Sequence, residues 1–242
     1  MKKRKVALIT GAAKRIGAAI ADRLHNDGYN IVIHYGNSVD AAKNLQQKLE
    51  YKRADSTRLV SANLTDPQAV YNLAKTALDS WGIISVLINN ASCFYPTPIG
   101  ATSDEHWSTI MDVNVKAPYM LSQHLRNTLS ESHGCIINIT DIYADRPLQL
   151  HSVYSASKAA LVSLTKSMAA ELAPEIRVNA VSPGAILWPE NNLTDTDTIL
   201  SRIPLKRCGS PKDITDAIDY FLNSNYVTGQ ILKIDGGRTT LP

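Results

Sequence analysis

Seven short apolar runs punctuate the chain, at residues 6–10 (VALIT), 29–35 (YNIVIHY), 57–64 (TRLVSANL), 86–91 (VLINNA), 134–140 (GCIINIT), 176–184 (IRVNAVSPG) and 229–237 (GQILKIDGG). Each is too short for an ordinary globular helix and is apolar on consecutive residues, the pattern of a strand buried on both faces. The segments between them carry helix signals. IGAAIADRLHND (16–27) is amphipathic and is stopped by Gly28. Ser38 is placed to cap a helix carrying Val39, Ala42 and Leu45, and Asp66-Pro67 offers a cap and a first-turn proline to a helix reaching about Trp81. Residues 104–129 read as one long helical region, 152–173 as a helix ended by Pro174, and Pro211 starts another. Residues 185–209 have little strand or core character and read as an insert. Strands alternating with helices predict an α/β chain, doubly wound about a parallel sheet with helices on both faces.

Composition narrows the rest. A chain of 242 residues, 44% of them hydrophobic, suits one domain spanning 1–242, with 185–209 as a substrate-loop insert. The net charge of +3 owes much to Lys2, Lys3, Arg4 and Lys5, expected to be a solubilising lead-in to the first strand. No basic stripe interleaved with aromatics appears, so no nucleic-acid partner is expected. No apolar run approaches membrane length and no signal-peptide core is visible, so no membrane partner is expected either. Cys93, Cys135 and Cys208 are odd in number and lack metal-ligand spacing, which predicts a reducing cytoplasm, no disulfide framework and no metal.

Gly11 and Gly17 bracket the turn after the first strand, where backbone amides and a helix N-terminus can approach a pyrophosphate. The spacing is not that of G-x-G-x-x-G, and Arg15 stands where a glycine could sit. An arginine there can fork onto phosphate oxygens and still reach a substrate. The second strand ends His34-Tyr35-Gly36-Asn37-Ser38, with no acid before Asp40 to hold an NAD ribose diol. Asn37 and Ser38 offer donors and His34 or Lys14 a charge, so NADPH is expected over NADH.

The carboxyl ends of the later strands deliver Asn89-Asn90-Ala91-Ser92, Thr140-Asp141 and Pro183-Gly184 to one crevice. Tyr154 and Lys158, four residues apart, share a helix face beside it. A lysine beside a tyrosine favours the phenolate and is expected to lower the tyrosine pKa toward use at neutral pH. Asn114 either relays protons or fixes the lysine through its backbone and a water.

These motifs, TGAAKRIG (10–17), NNAS (89–92), the Asn114 segment, Y-SAS-K (154–158) and NAVSPG (179–184), resemble those of the short-chain dehydrogenase/reductase family over nearly the whole chain. The resemblance implies a Rossmann fold with a seven-stranded sheet, hydride transfer driven by a Tyr–Lys pair, and a homotetramer. Two positions depart from most of that family: Asp141 stands where a serine is usual, thirteen residues before the tyrosine, and Arg15 where a glycine is usual. Both, with NNASCFYPTP (89–98) and DIYADRPLQLHSVY (141–154), resemble its pteridine reductase branch. That likeness implies a catalytic set of Asp141, Tyr154, Lys158 and Asn114. It implies a substrate set of Arg15, Ser92, Phe94, Asp141 and Tyr154, with Phe94 stacked on a pterin ring; Trp188, in the insert just past Pro183-Gly184, is a further substrate-binding candidate from its position. Trp188 either closes over substrate or anchors the insert. The implied cofactor set is Gly11, Lys14, Arg15, Ile16, Gly17, His34, Tyr35, Asn37, Ser38, Asn63, Leu64, Asn90, Ala91, Ser92, Tyr154, Lys158, Pro183, Gly184 and Ile186. The branch's basic pair after the second strand is here Gly36-Asn37, and its Asp after the third is Asn63.

An acid suits a pterin better than a ketone. A developing oxyanion wants a donor, whereas a pterin ring presents N–H donors that a carboxylate can accept. The expected activity is therefore NADPH-dependent reduction of a dihydropteridine, with dihydrofolate as a further candidate, to the tetrahydro form. The rivals are a 3-oxoacyl thioester or other carbonyl reductase, and a noncatalytic nucleotide-binding regulator. Thr140 does not rescue the first rival, because adjacent strand residues point to opposite faces.

Overall fold

The computed structural model describes residues 5–186 and 196–241. Seven strands form one sheet: β1 Val6–Ile9, β2 Asn30–Tyr35, β3 Thr57–Ser61, β4 Val86–Asn89, β5 Cys135–Ile139, β6 Arg177–Pro183 and β7 Ile231–Ile234. Their order is β3-β2-β1-β4-β5-β6-β7 and every pairing is parallel. The chain steps outward from β1 in both directions, so the β1/β4 boundary is the switch point at which an open α/β sheet leaves a crevice.

The consecutive apolarity of the strands now has its cause. Ala7, Ile9, Ile31, Ile33, Val86 and Ile88 face one layer, with α1 (Arg15–Asn26), α2 (Val39–Lys52) and α9 (Pro211–Asn223). Val6, Leu8, Val32, Leu87 and Ile136 face the other, with α3 (Pro67–Trp81), α5 (Ala117–His124), α6 (Arg126–Glu131) and α7 (Ser152–Leu172). Successive side chains enter opposite cores, so neither register can be polar. At the carboxyl edge, polar ties replace apolar packing: Asn89 Nδ2 donates to Asn138 Oδ1 (2.8 Å) and Asn138 Nδ2 to Thr165 Oγ1 (2.8 Å).

Asp66 caps α3 as expected, accepting from the Gln68 N–H at 2.8 Å, with Pro67 in the first turn. Ser38 occupies the N-cap position of α2 but makes no side-chain capping bond. The 104–129 region is broken into α4 (Asp104–Met111), a π turn Asp112–Lys116, α5 and α6. The 185–209 segment is not without core: Ile186 and Ile203 are buried, and it contains α8 (Thr196–Ser201). Among the described residues no helix is long and apolar enough to cross a membrane.

Candidate active site

A cleft of about 720 Å³ opens at the carboxyl edge over the switch point. Its floor is the β1–α1 turn. Gly11 has φ +61°, and a Cβ there would lie 3.0 Å from Ala91 Cα; a Cβ on Gly17 would lie 2.2 Å from the Gly11 carbonyl oxygen. Only glycines let the turn fold back on itself this closely. Asn90 clamps it from β4, Nδ2 donating to the Thr10 and Gly11 carbonyls at 2.9 and 3.0 Å. The buried Thr10, which sequence reasoning passed over, receives the Asn90 and Ala91 N–H groups on Oγ1. Arg15 has φ +52°, a left-handed conformation in which glycine is the favoured residue. The arginine keeps the backbone shape of the glycine it replaces and adds a guanidinium. Lys14, Arg15, Ile16, Asn37, Asn63, Leu64 and Ser92 also line the cleft, and among the described residues no carboxylate does. Asn63 Oδ1 accepts from the Thr65 N–H and hydroxyl, shaping the turn after β3.

Three expected cofactor residues stand differently. Tyr35 is half-buried against the core and Ser38 sits at the α2 N-cap; neither lines the cleft, whereas Gly36, Ser61, Ala62 and Val113 do. His34 lines it but brings no charge. It is buried, its Nδ1 accepting from the Gly11 N–H (3.1 Å) and its Nε2 donating to the Ala62 carbonyl (3.1 Å). Burial pushes its pKa below the usual 6.5. This neutral tautomer pins the phosphate turn to the end of β3. As pH falls through 6.5 the unfolded chain takes up a proton that folded His34 resists, so stability rises with pH up to that point and is lost below it. Melting temperature and dinucleotide affinity are therefore expected to fall together between pH 7.5 and 5.5, and His34→Gln to flatten part of both slopes. Thermal melts and fluorescence titration across that range check this.

A second cavity, of about 240 Å³, adjoins the first, with Arg15, Ile16, Asn90 and Ser92 lining both. Thr140, Asp141, Tyr154, Lys158, Pro183, Gly184 and Ile186 complete it, with Ile139 and Ala185, which were not foreseen. Tyr154 Oη donates to Asp141 Oδ2 at 2.8 Å, and Asp141 Oδ1 accepts the Tyr143 N–H at 2.9 Å, capping the 3₁₀ turn Ile142–Ala144. Lys158, only 2% exposed, donates to the Ile139 carbonyl at 3.0 Å. Thr140 Oγ1 is committed to the Val181 carbonyl at 3.0 Å.

The electrostatics correct the expectation for Tyr154. Burial, then the Asp141 carboxylate, push its pKa far up, opposed by the Ser92 hydroxyl on the same oxygen. Burial also raises Asp141, against the Tyr143 N–H, the Tyr154 hydroxyl, Lys158 and Arg238. Burial lowers Lys158 to about 8. The lysine does not make a phenolate here, because the nearest charge to Tyr154 is negative. At neutral pH the hydroxyl keeps its proton, ready to be given.

Asn114 is buried in the π turn and every polar atom of its carboxamide is engaged: Oδ1 accepts the Cys93 N–H (2.8 Å) and Nδ2 donates to the Cys93 carbonyl (3.1 Å) and Ser157 Oγ (3.0 Å). Its side chain thus straps the loop between Ser92 and Phe94 to α7. Phe94 is 55% exposed and outside the cavity lining. Its ring stacks on His151 (4.7 Å, 14°) and meets the Tyr154 ring edgewise (4.7 Å, 80°). Trp188 lies outside the described residues.

A family model described as enoyl-(acyl carrier protein) reductase matches residues 11–239. The chain is 33% identical to pteridine reductase 1 of Leishmania tarentolae, over 96% of this chain and 95% of that one. It is equally 33% identical to the 3-oxoacyl-[acyl-carrier-protein] reductase FabG of Staphylococcus epidermidis, over 96% and 98%. Among solved structures, a blue fluorescent protein from a metagenomic library, crystallised with NADPH, superposes with a TM-score of 0.91 at 33% identity, covering 97% of both chains.

Proposed function

The chain belongs to the short-chain dehydrogenase/reductase family, and from that premise we propose that it is an NADPH-dependent reductase of dihydropteridines. Relatives of equal identity act on different substrates by name, so overall likeness does not choose between a pterin and a thioester. The observation that carries the proposal is the Asp141 carboxylate, 2.8 Å from the tyrosine hydroxyl at the position where a carbonyl reductase wants a neutral donor.

The cleft fits the dinucleotide. The Gly11–Gly17 cradle has no room for a Cβ, so a pyrophosphate can approach the turn backbone and the N-terminus of α1 closely. Lys14 and Arg15 face a lining without carboxylates, which suits the extra 2′-phosphate of NADPH. The bound dinucleotide supplies the hydride that is delivered to C6 of a 7,8-dihydropteridine.

The protein's part is the proton and the pose. Tyr154 Oη holds the proton destined for N5, and Asp141 holds the hydroxyl in position and accepts from the pterin's ring N–H and amino groups. Lys158, protonated below about 8, keeps a cation behind the pair. Arg15 bridges the two cavities and orients the ring. Phe94, backed by His151 and edge-on to Tyr154, offers the flat wall against which a pterin stacks. For a fully oxidised pterin reduced at C7, Asp141 in its protonated form is the donor, toward N8.

A steady-state panel tests the reading. With NADPH, 7,8-dihydrobiopterin or dihydromonapterin is expected to be turned over at least about tenfold more efficiently than an acetoacetyl thioester, and NADH to be the poorer reductant. Brisk oxidation of NADPH by the thioester, with no response to any dihydropterin or dihydrofolate, would overturn it.

A further inference from the structure

Asp141 is held from a side that the catalytic motifs do not include. Gly184 lets β7 close in: a Cβ there would lie 2.8 Å from Asp235 Cα, and the Gly184 N–H donates to the Ile234 carbonyl at 2.9 Å. Asp235, at the end of β7, accepts the Gly237 N–H (2.9 Å) and the Thr239 N–H (2.8 Å), fixing the 3₁₀ turn Arg238–Thr240. That turn lays the half-buried Arg238 guanidinium 5.7 Å from the Tyr143 ring centroid, with Nη2 donating to Tyr143 Oη at 3.3 Å. Tyr143 is the residue whose N–H caps Asp141 Oδ1.

We propose that Arg238 is a positioning residue for the catalytic carboxylate: through Tyr143 it fixes the turn that aims Asp141, and with Lys158 it brackets that carboxylate between two cations. The importance of this for turnover rests on the proposed use of Asp141.

Charge requires the second cation. Asp141 faces Tyr154 and Lys158 from α7, Tyr143 from its own turn and Arg238 from the C-terminal turn, while Arg15 lines the same cavity. Burial favours the neutral acid, and each of the first four opposes it. A neutral Asp141 accepts poorly from Tyr154 or from a pterin N–H, so the cations set the pH below which the site fails. Lys158 alone is a weak guarantee, because burial brings it near to losing its own proton. A guanidinium, unlike an ammonium, is not deprotonated in proteins.

The test reads the carboxyl directly. The Asp141 side-chain ¹³C resonance, assigned by its loss in Asp141→Asn, is titrated in the full-length protein without substrate. Arg238→Gln is expected to raise the midpoint by roughly 0.5–1 pH unit, and Arg238→Lys by less than half of that. Tyr143→Phe, which frees the guanidinium but keeps the backbone N–H, moves it in the same direction by less. The acid limb of kcat/KM shifts alongside, to higher pH. An unmoved midpoint in Arg238→Gln overturns the proposal; if that variant does not fold, an unmoved midpoint in both Arg238→Lys and Tyr143→Phe does so. Because the titration involves no substrate, failure of the pterin reading would leave the midpoint shift in place, and failure of the Arg238 role would leave the substrate panel unchanged.

Discussion

Tyr154→Phe is expected to lose about 10²–10⁴-fold in kcat on a dihydropteridine while binding NADPH as tightly as the wild type. The ring stays: it is buried against Phe94, and phenylalanine fills the same volume. What goes is one hydroxyl, 2.8 Å from Asp141 Oδ2 and the one group in the cavity held as a proton donor by its surroundings. The pH profile follows from the same groups. Tyr154 titrates far above neutrality, so no rise in rate from phenolate formation is expected between pH 6 and 8. The alkaline limb is expected near pH 8, where Lys158 gives up its proton and the cation behind the pair is lost. Single-turnover rates with bound NADPH, set beside the dinucleotide Kd, separate the proton step from binding. A Tyr154→Phe enzyme within a fewfold of wild type would remove the tyrosine from the chemistry.

What the sequence made legible was whatever depends on local pattern. The strands were visible because both faces of the sheet are buried, so that Val6 and Ala7, neighbours in sequence, enter different cores. The Tyr154–Lys158 face was visible because α7 is regular. Contributions that depend on distant partners were hidden. Nothing within 34–38 says that His34 is engaged by Gly11 on one nitrogen and Ala62 on the other, 23 and 28 residues away, and so is neutral. The π turn at 112–116 leaves no mark in the periodicity, since it swings Asn114 inward to meet Cys93 and Ser157. The tyrosine pKa was misjudged because a four-residue spacing reveals the lysine but not that the carboxylate lies closer. Arg238 escaped notice for the same reason: 97 residues separate it from Asp141 (238 − 141), and the pairing of β6 with β7, with the close Gly184–Asp235 approach, brings its turn in.

Asp141→Ser is expected to exchange one activity for another. Efficiency on a dihydropteridine should drop by about 10²-fold or more, and reduction of an acetoacetyl thioester should gain at least about tenfold. The serine removes the acceptor for the pterin's N–H groups and the charge that raises Tyr154, so the tyrosine titrates lower than in the wild type. It supplies in exchange a short neutral hydroxyl, which can donate to a carbonyl oxygen as negative charge builds there. A buried carboxylate at that point repels the same charge; its removal alone favours the ketone. Folding should tolerate the change, because a serine oxygen can still cap the 3₁₀ turn at Ile142 through the Tyr143 N–H, as Asp141 Oδ1 does at 2.9 Å. A melting curve close to that of the wild type checks this and removes misfolding as a cause. Asp141→Asn provides the contrast: it keeps the shape, loses the charge and offers both a donor and an acceptor, so it should lose pterin turnover without the full gain on thioesters. If Asp141→Ser kept its dihydropteridine activity and gained nothing on keto compounds, the carboxylate would have no part in choosing the substrate, and the serine-to-acid exchange would be neutral at this site.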